Sequence, residues 1–344
     1  MNIVTVNAGS TSLKVDLVRD GVRVGGWDTL ESVVDGPDGP ADAVAHRIVY
    51  GGGHSEPAVV DTRLRDELDG LAAIDPLHMG PALEALDTAR RYWPDVPHVA
   101  CFDTAFHTSI PASARRYALP QPWRDRVPAY GFHGLSHAWS AVRVRELAPD
   151  ARLVVVAHLG GGSSLCGIDS GRSRVTTMGF TPLDGLVMAT RVGAIDPGAV
   201  LWLSRQPDID LDDLLSYRSG LQGLAGSADM RDVLSRAAAG DADANFALDV
   251  YEHRFVTQLG ACVAAIGGID VLVFTGGIGE HAPALRERLC RRLGWLGVAL
   301  DGATADSEPD SELTSQGSHV RVFVIAARED LIMADQVLPV VSAN

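Results

Sequence analysis

Apolar residues along the chain follow two periods, and the alternation between them lays out the elements. Residues 2–7 (NIVTVN) and 13–18 (LKVDLV) are short β-prone runs separated by A-G-S-T-S, which predicts a hairpin closed by small, donor-rich residues. Residues 152–158 (RLVVVAH) and 164–169 (SLCGID) repeat that layout around L-G-G-G-S, an internal repeat that is the main clue to organisation. The segment DVLVFTGGIGE (270–280) reads as a buried strand running into a glycine-rich turn, with a helix opened by Pro283 after it. Apolar residues recur at three and four positions over 62–74, 80–92, 136–147 and 243–266, so helices alternate with strands. The tail AAREDLIMADQVLPVV reads as a helix after a strand at 320–325, and 301–318 as a polar, acidic surface loop.

Mixed strands and helices with two similar glycine-turn hairpins point to two related α/β domains and a ligand cleft between them. At 344 residues the chain suits two domains, with crossings expected near residues 105 and 330. The tail helix is expected to cross back onto the first domain. A net charge of −15 argues against a general nucleic-acid binder, and an anionic substrate would need a local basic pocket. Cys101, Cys166, Cys262 and Cys290 show no paired spacing, which indicates neither a disulfide framework nor a zinc knuckle and fits a reducing cytoplasm. The start MNIVTVNAGS has no basic stretch before a long apolar run, and no later stretch reaches membrane-spanning length. Neither secretion nor membrane insertion is expected.

The turn N-A-G-S-T-S-L-K offers backbone N–H groups, hydroxyls and a lysine, with Asn7, Ser10, Ser12 and Lys14 as candidate phosphate donors. A plain hairpin turn is the alternative. The second copy, H-L-G-G-G-S-S, favours a pair of phosphate-cradling loops. Asp103 follows the β-like run HVACF, a strand-end position suited either to magnesium or to capping a turn, and Glu329 could bring a second carboxylate. Arg47 and Arg191 both lie beside glycines and could grip anions bidentately; surface solvation is the alternative for each. His78, His107, His133, His137 and His158 sit in apolar, glycine-flanked contexts. His133 and His137 have the spacing of zinc ligands, but no glutamate adjoins His133, and Gly134 and a helix start intervene. A histidine donating to phosphate needs no metal. There is neither a G-x-x-x-x-G-K-[ST] string nor a G-x-S-x-G elbow, so neither a P-loop nor that type of serine hydrolase is indicated.

With these residues assembled, the chain resembles the acetate kinase family from end to end. The matching strings are NAGSTSLK, HRIVYGG, PLH, FDTAFH, YGFHGLSH, HLGGGSS, TMGFTPLDGL, TRVGAIDPG, SGLQGLAG, DMRD, FTGGIGE and ARED. The resemblance implies a duplicated actin-like α/β fold of the sugar kinase and heat-shock ATPase type, with the active site in an interdomain cleft. It implies an N-terminal domain of residues 1–105 completed by 331–344, and a C-terminal domain of 106–330 carrying the nucleotide site and the dimer interface of a homodimer. Asn7, Asp103 and Glu329 would surround Mg²⁺, or Mn²⁺ in its place. Arg47, Arg191 and His133 would surround the transferred phosphoryl group, with His78 and His158 nearby. Val49, Leu77, Phe132 and Pro182 would form the small pocket for the acid's methyl group. Ser10, Ser12, Lys14, His158, Gly160, Gly161 and Gly162 would meet the ATP phosphates. Asp229, Met230 and Arg231, with Gly277, Ile278 and Gly279, would hold the adenosine. The implied chemistry is in-line attack of acetate on the γ-phosphorus, without a phospho-enzyme.

The chain departs from the family pattern at several positions. Gly161 stands where an asparagine is usual, as do Met79, His281 and Arg328; Val175 replaces an aspartate and Ala189 a glycine. The stretch between Lys14 and His46 is short. These departures leave the charge-handling residues in place but bear on donor choice, since some relatives use pyrophosphate. A kinase for propionate or another short acid and a non-enzymatic actin-like nucleotide switch are the alternatives, with a paralogue that binds without turnover as a third.

Overall fold

The computed structural model describes residues 1–9, 13–34, 40–74, 76–302 and 309–342; the side chains of Val34, Pro76, Leu77 and His78 lie outside that description. The chain forms two compact units, one of residues 1–108, 132–139 and 328–344 and the other of 109–131 and 140–327.

The first unit is built on strands β1 (Asn2–Ala8), β2 (Leu13–Arg19), β3 (Val22–Trp27), β4 (Ala43–Ile48), β5 (Ala58–Val59) and β6 (His98–Phe102). They form one sheet in the order β3-β2-β1-β4-β6-β5. The strands β1, β4 and β6 run parallel at its centre, while β2, β3 and β5 add antiparallel edges. The central strands are buried along most of their length because helices cover them: Pro76–Tyr92 packs on β1 and β4, and Glu329–Ser342 packs on β1, β4 and β6.

The second unit contains β7 (Leu153–Leu159), β8 (Ser163–Asp169), β9 (Arg172–Thr176), β10 (Val271–Thr275), β11 (Ser311–Glu312) and β12 (Arg321–Val324). Its order, β11-β12-β10-β7-β8-β9, is the first sheet's order repeated six strands later. The likeness reaches individual residues. The strands β1 and β7 share one pattern of buried and part-buried positions, and β2 and β8 each carry a register shift after their fifth residue. This mixed, duplicated α/β architecture is the one expected from the repeated glycine turns.

Local chemistry fixes the second unit's long helix, Ala242–Ile266. Asp241 caps its start by accepting the Ala244 N–H, and Gly267, at φ +83°, ends it. Two expectations change. The glycine-rich stretch after β10 is itself a short helix, Gly276–His281, because Gly276 adopts φ +78° and lets the chain turn directly off the strand. Within 301–318, read as a loop, Ser311–Glu312 pairs with β12; two residues are too few for alternation to show. Residues 303–308 of that stretch lie outside the described residues. Among the described residues no helix is long and apolar enough to cross a membrane.

Candidate active site

In the first unit Arg47 is the penultimate residue of β4, and Asp103 follows β6. Strand alternation turns both toward the face covered by Glu329–Ser342, and His46 and His98 toward the opposite face. Arg47 Nε and Nη2 both donate to Asp103 Oδ2, at 3.0 and 2.6 Å. Its Nη1 donates to Asn7 Oδ1 at 3.0 Å, and Asn7 Nδ2 donates to Glu329 Oε2 at 2.7 Å. Arg47 Nε lies 3.8 Å from that same Glu329 oxygen, so residues from β1, β4, the end of β6 and the C-terminal helix close a ring. The side chains of Arg47, Asp103 and Glu329 are only 17%, 1% and 14% exposed.

Burial pushes the Asp103 carboxyl above the usual carboxylate range, opposed by the Arg47 charge and reinforced by Glu329. Its Oδ1 is buried and accepts no well-formed hydrogen bond among the described residues, although the nearby Leu135 N–H also lowers its pKa. Burial works against the Arg47 charge too, yet Asp103 and Glu329 outweigh it and hold its pKa above the ordinary arginine value. The Asp103 backbone is fixed at both ends: its N–H donates to Ile48 O at 3.0 Å and its carbonyl accepts the Gly134 N–H at 2.9 Å.

That second bond brings His133 to the site. Any side chain at Gly134 would run into the Asp103 carbonyl, so only glycine allows the approach. His133, just before it, adopts φ +57°, an uncommon conformation for a residue with a side chain, and its carbonyl accepts the His137 N–H at 2.9 Å. His107 bonds the Phe132 carbonyl at 3.0 Å, while the Phe132 ring meets Tyr50 edge-on with centroids 4.9 Å apart. Val49 and Phe132 are both buried in this unit. Lys14 is exposed and lies opposite Asn7 in the hairpin. Ser10 and Ser12 lie outside the described residues, as do the side chains of Leu77 and His78.

In the second unit His158 occupies the position in β7 that Asn7 occupies in β1, and it pairs with Ser164 on β8 and Thr275 on β10. The turn Gly160–Gly162 folds on itself, its first N–H donating to the Gly162 carbonyl at 3.0 Å. The Gly161 carbonyl accepts the Ala189 N–H at 3.2 Å, which ties this turn to the loop carrying Arg191. That loop is pinned in turn by Ser219 N–H to Thr190 O at 2.9 Å and Val192 N–H to Leu215 O at 3.0 Å. A side chain at Gly276 would meet the Leu159 carbonyl at 2.8 Å and the His158 ring at 3.2 Å. His158, the glycine turn, the Arg191 loop and Gly277–Gly279 are therefore neighbours at one end of the second sheet.

Asp229 caps the helix Met230–Ala238 and pairs with the exposed Arg231 at 2.7 Å, while Met230 lies in the core. Pro182 is buried in the same unit. No three or more His, Cys, Asp or Glu side chains gather as a metal cluster among the described residues. Two features escaped the sequence: the Ala189 to Gly161 bond, which is backbone only, and a buried His46–His98 pair on adjacent strands, whose partnership depends on register.

A model of the acetokinase family matches residues 28–335, most of the chain. The chain belongs to the acetokinase family. Among its relatives is an acetate kinase of Leifsonia xyli subsp. xyli, 45% identical over 89% of this chain and 80% of the relative. An acetate kinase of Clavibacter sepedonicus is 43% identical over 88% and 79%. A propionate kinase structure from Francisella tularensis subsp. tularensis superimposes with a TM-score of 0.90 at 29% identity, covering 98% of each chain. The acetate kinase structure from Entamoeba histolytica also gives 0.90, at 28% identity over 98% and 99%. Membership of this family makes the chain a phosphotransferase that uses a carboxyl group as acceptor.

Proposed function

We propose that this chain transfers a phosphoryl group reversibly between ATP and acetate, giving acetyl phosphate and ADP by direct in-line attack. The observation that carries this reading is the ring of Asn7, Arg47, Asp103 and Glu329, in which a buried guanidinium is held rigidly among acidic and amide groups. Such preorganised charge is what a transfer without covalent catalysis requires. Arg47 would neutralise the acid and the transferring group, and His133, held in its unusual backbone conformation, would donate to that group. Arg191 would likewise neutralise the transferred phosphoryl group. Val49, Leu77, Phe132 and Pro182, with His78, would bound the acid. Ser10, Ser12, Lys14, His158 and Gly160–Gly162 would meet the phosphates, and Asp229–Arg231 with Gly277–Gly279 the adenosine.

Magnesium, or manganese in its place, fits the first unit. Asp103 Oδ1 is an anionic oxygen buried without a well-formed hydrogen bond among the described residues, and Glu329 and Asn7 offer further oxygens beside it. Two carboxylates suffice for an ion that takes its remaining ligands from phosphate and water. When bound, it would neutralise charge on the phosphate oxygens.

The Francisella neighbour favours a second reading, propionate as acceptor. A cytoplasmic homodimer accompanies either reading. Exposed Leu201 and Trp202, 57% and 61% accessible on one short helix, support a partner surface in the second unit. The test is acyl phosphate formation, trapped as the hydroxamate, across acetate, propionate and butyrate with ATP or pyrophosphate. Acetate with ATP should give the highest kcat/KM. A clear preference for butyrate, or ATP hydrolysis indifferent to any acid, would overturn the assignment.

A further inference from the structure

Strands β4 and β6 run side by side as far as Ile48 and Phe102, and the last backbone rung between them is the Asp103 N–H on the Ile48 carbonyl at 3.0 Å. Beyond it a side chain makes one more rung. Thr104 Oγ1 accepts the Gly51 N–H at 3.1 Å, and Thr104 is itself buried. Between these two rungs lie only Val49 and Tyr50, both sealed from water, with the Tyr50 ring edge-on to Phe132. The consecutive residues Asp103 and Thr104 therefore pin this two-residue segment at both ends.

Gly51 is held from a second direction. A side chain there would lie 2.7 Å from Cγ of Phe102, so the backbone rests against that ring in an approach that any Cβ would block. The turn then folds back, with the His54 N–H donating to the Gly51 carbonyl at 2.9 Å and the His54 ring stacked on Phe102, centroids 5.1 Å apart. The Thr104 carbonyl accepts the His107 N–H at 3.2 Å, which fixes the backbone that presents the hydroxyl. Because Gly51 is buried, losing that hydroxyl would strand its N–H away from water.

We propose that Thr104 is a positioning residue for the acid acceptor: its hydroxyl sets how far Val49 and Tyr50 stand from Phe132, and so how long an acid the site admits. The inference rests on the assignment of Val49 and Phe132 to the acid. Thr104 acts through the segment it pins and not on the substrate itself. It follows Asp103 directly, so the stretch that fixes Arg47 through a carboxylate also fixes the acid's wall through a hydroxyl. A wall held in place favours the shortest acid, because an extra methylene then meets a clash rather than a surface that gives way. The phosphoryl donor, assigned to other residues, should not sense Thr104.

Thr104→Val keeps the branched shape and removes the hydrogen-bonding oxygen. With acyl phosphate trapped as the hydroxamate, its KM for acetate should rise about two- to tenfold, the range of one hydrogen bond. The ratio of kcat/KM for acetate over propionate should fall by about the same factor, while the KM for ATP stays at the wild-type value. Thr104→Ser returns the acceptor and should restore both the KM for acetate and the ratio. An unchanged ratio, a KM for ATP that rises as much as that for acetate, or no recovery in Thr104→Ser would overturn the inference. Should Thr104→Val fail to fold, Gly51→Ala, which drives the same turn off Phe102, carries the same expected loss of discrimination, and an unchanged ratio there would overturn the inference. A wild-type chain that forms no acyl phosphate from either acid would overturn the acid site itself, and the inference with it; a wild-type preference that Thr104→Val retains would overturn the inference alone.

Discussion

Arg47 and Asp103 meet through two donors on a single oxygen, Nε and Nη2 both on Oδ2, and this leaves Oδ1 of the carboxylate turned away from the guanidinium. One carboxylate can therefore hold the arginine with one oxygen and keep the other for a cation. A bidentate fork would have engaged both oxygens with the guanidinium.

Replacing Arg47 by Ala should damage both folding and catalysis. The partner it leaves behind is buried, and stranding a buried charge costs about 3–5 kcal/mol. Loss of transition-state neutralisation should lower kcat/KM at least about a hundredfold. Arg47→Lys keeps the charge but cannot reach Asp103 and Asn7 together, so it should recover stability more than activity. Thermal denaturation and steady-state kinetics on the same samples separate the two effects.

Glu329→Gln keeps a possible acceptor from Asn7 but removes one of two negative charges at the proposed cation site. The magnesium concentration for half-maximal activity should rise at least about tenfold, with the fold intact by circular dichroism. An unchanged magnesium dependence would exclude Glu329 from the metal site.

Two glycines should behave in opposite ways. Gly276→Ala forces a side chain against the Leu159 carbonyl and the His158 ring at φ +78°, and should cost about 1–3 kcal/mol with loss of ATP binding. Gly161→Asn meets nothing within 4 Å of the new Cβ and should leave stability within about 0.5 kcal/mol of wild type. Because it returns a side-chain donor to the turn, it should lower the KM for ATP about two- to tenfold. Melting curves and ATP titrations of both variants check this contrast.

The His46–His98 pair gives the first unit an acid-side weakness. His46 Nε2 and His98 Nδ1 are 2.9 Å apart, and His98 Nε2 lies 2.9 Å from the Trp93 carbonyl. The chain is satisfied when both rings are neutral and each donates through Nε2, which leaves the buried His46 Nδ1 without a partner among the described residues. Burial lowers both pKa values, with Arg90 adding to the effect on each and the neighbouring His98 adding to it at His46. A depressed histidine pKa means the unfolded chain binds more protons. Stability should therefore be fully present above about pH 6.5 and decline as the pH falls below it. His98→Gln, which can accept from His46 and donate to Trp93, should shallow that decline in melting temperature against pH.

The duplication was legible because a glycine turn between two β runs occurs twice, and the two sheets indeed share one strand order. The ends of strands carrying Arg47 and Asp103 were legible for the same reason, since apolar runs stop where they stand. What the sequence could not show was pairing. Asn7 and Glu329 are 322 residues apart, and Arg47 finds Asp103 only through the register of β4 against β6. The closeness of His133 to Asp103 depends on a glycine chosen for its lack of a side chain, a steric fact with no pattern in one sequence. The strand β11 went unseen because its two polar residues owe their conformation to β12 rather than to their own propensity.

Attack by a carboxylate oxygen of the acid on phosphorus carries that oxygen into the product, whereas any route that breaks the acid's C–O bond does not. Acetate labelled with ¹⁸O in its carboxyl group should deliver that label to the bridging oxygen of acetyl phosphate, seen as an isotope shift of the ³¹P resonance when the protein is mixed with MgATP. A shifted acetyl phosphate signal is the expected result; no acyl phosphate, or acetyl phosphate whose bridging oxygen is unlabelled, would contradict transfer by the carboxylate.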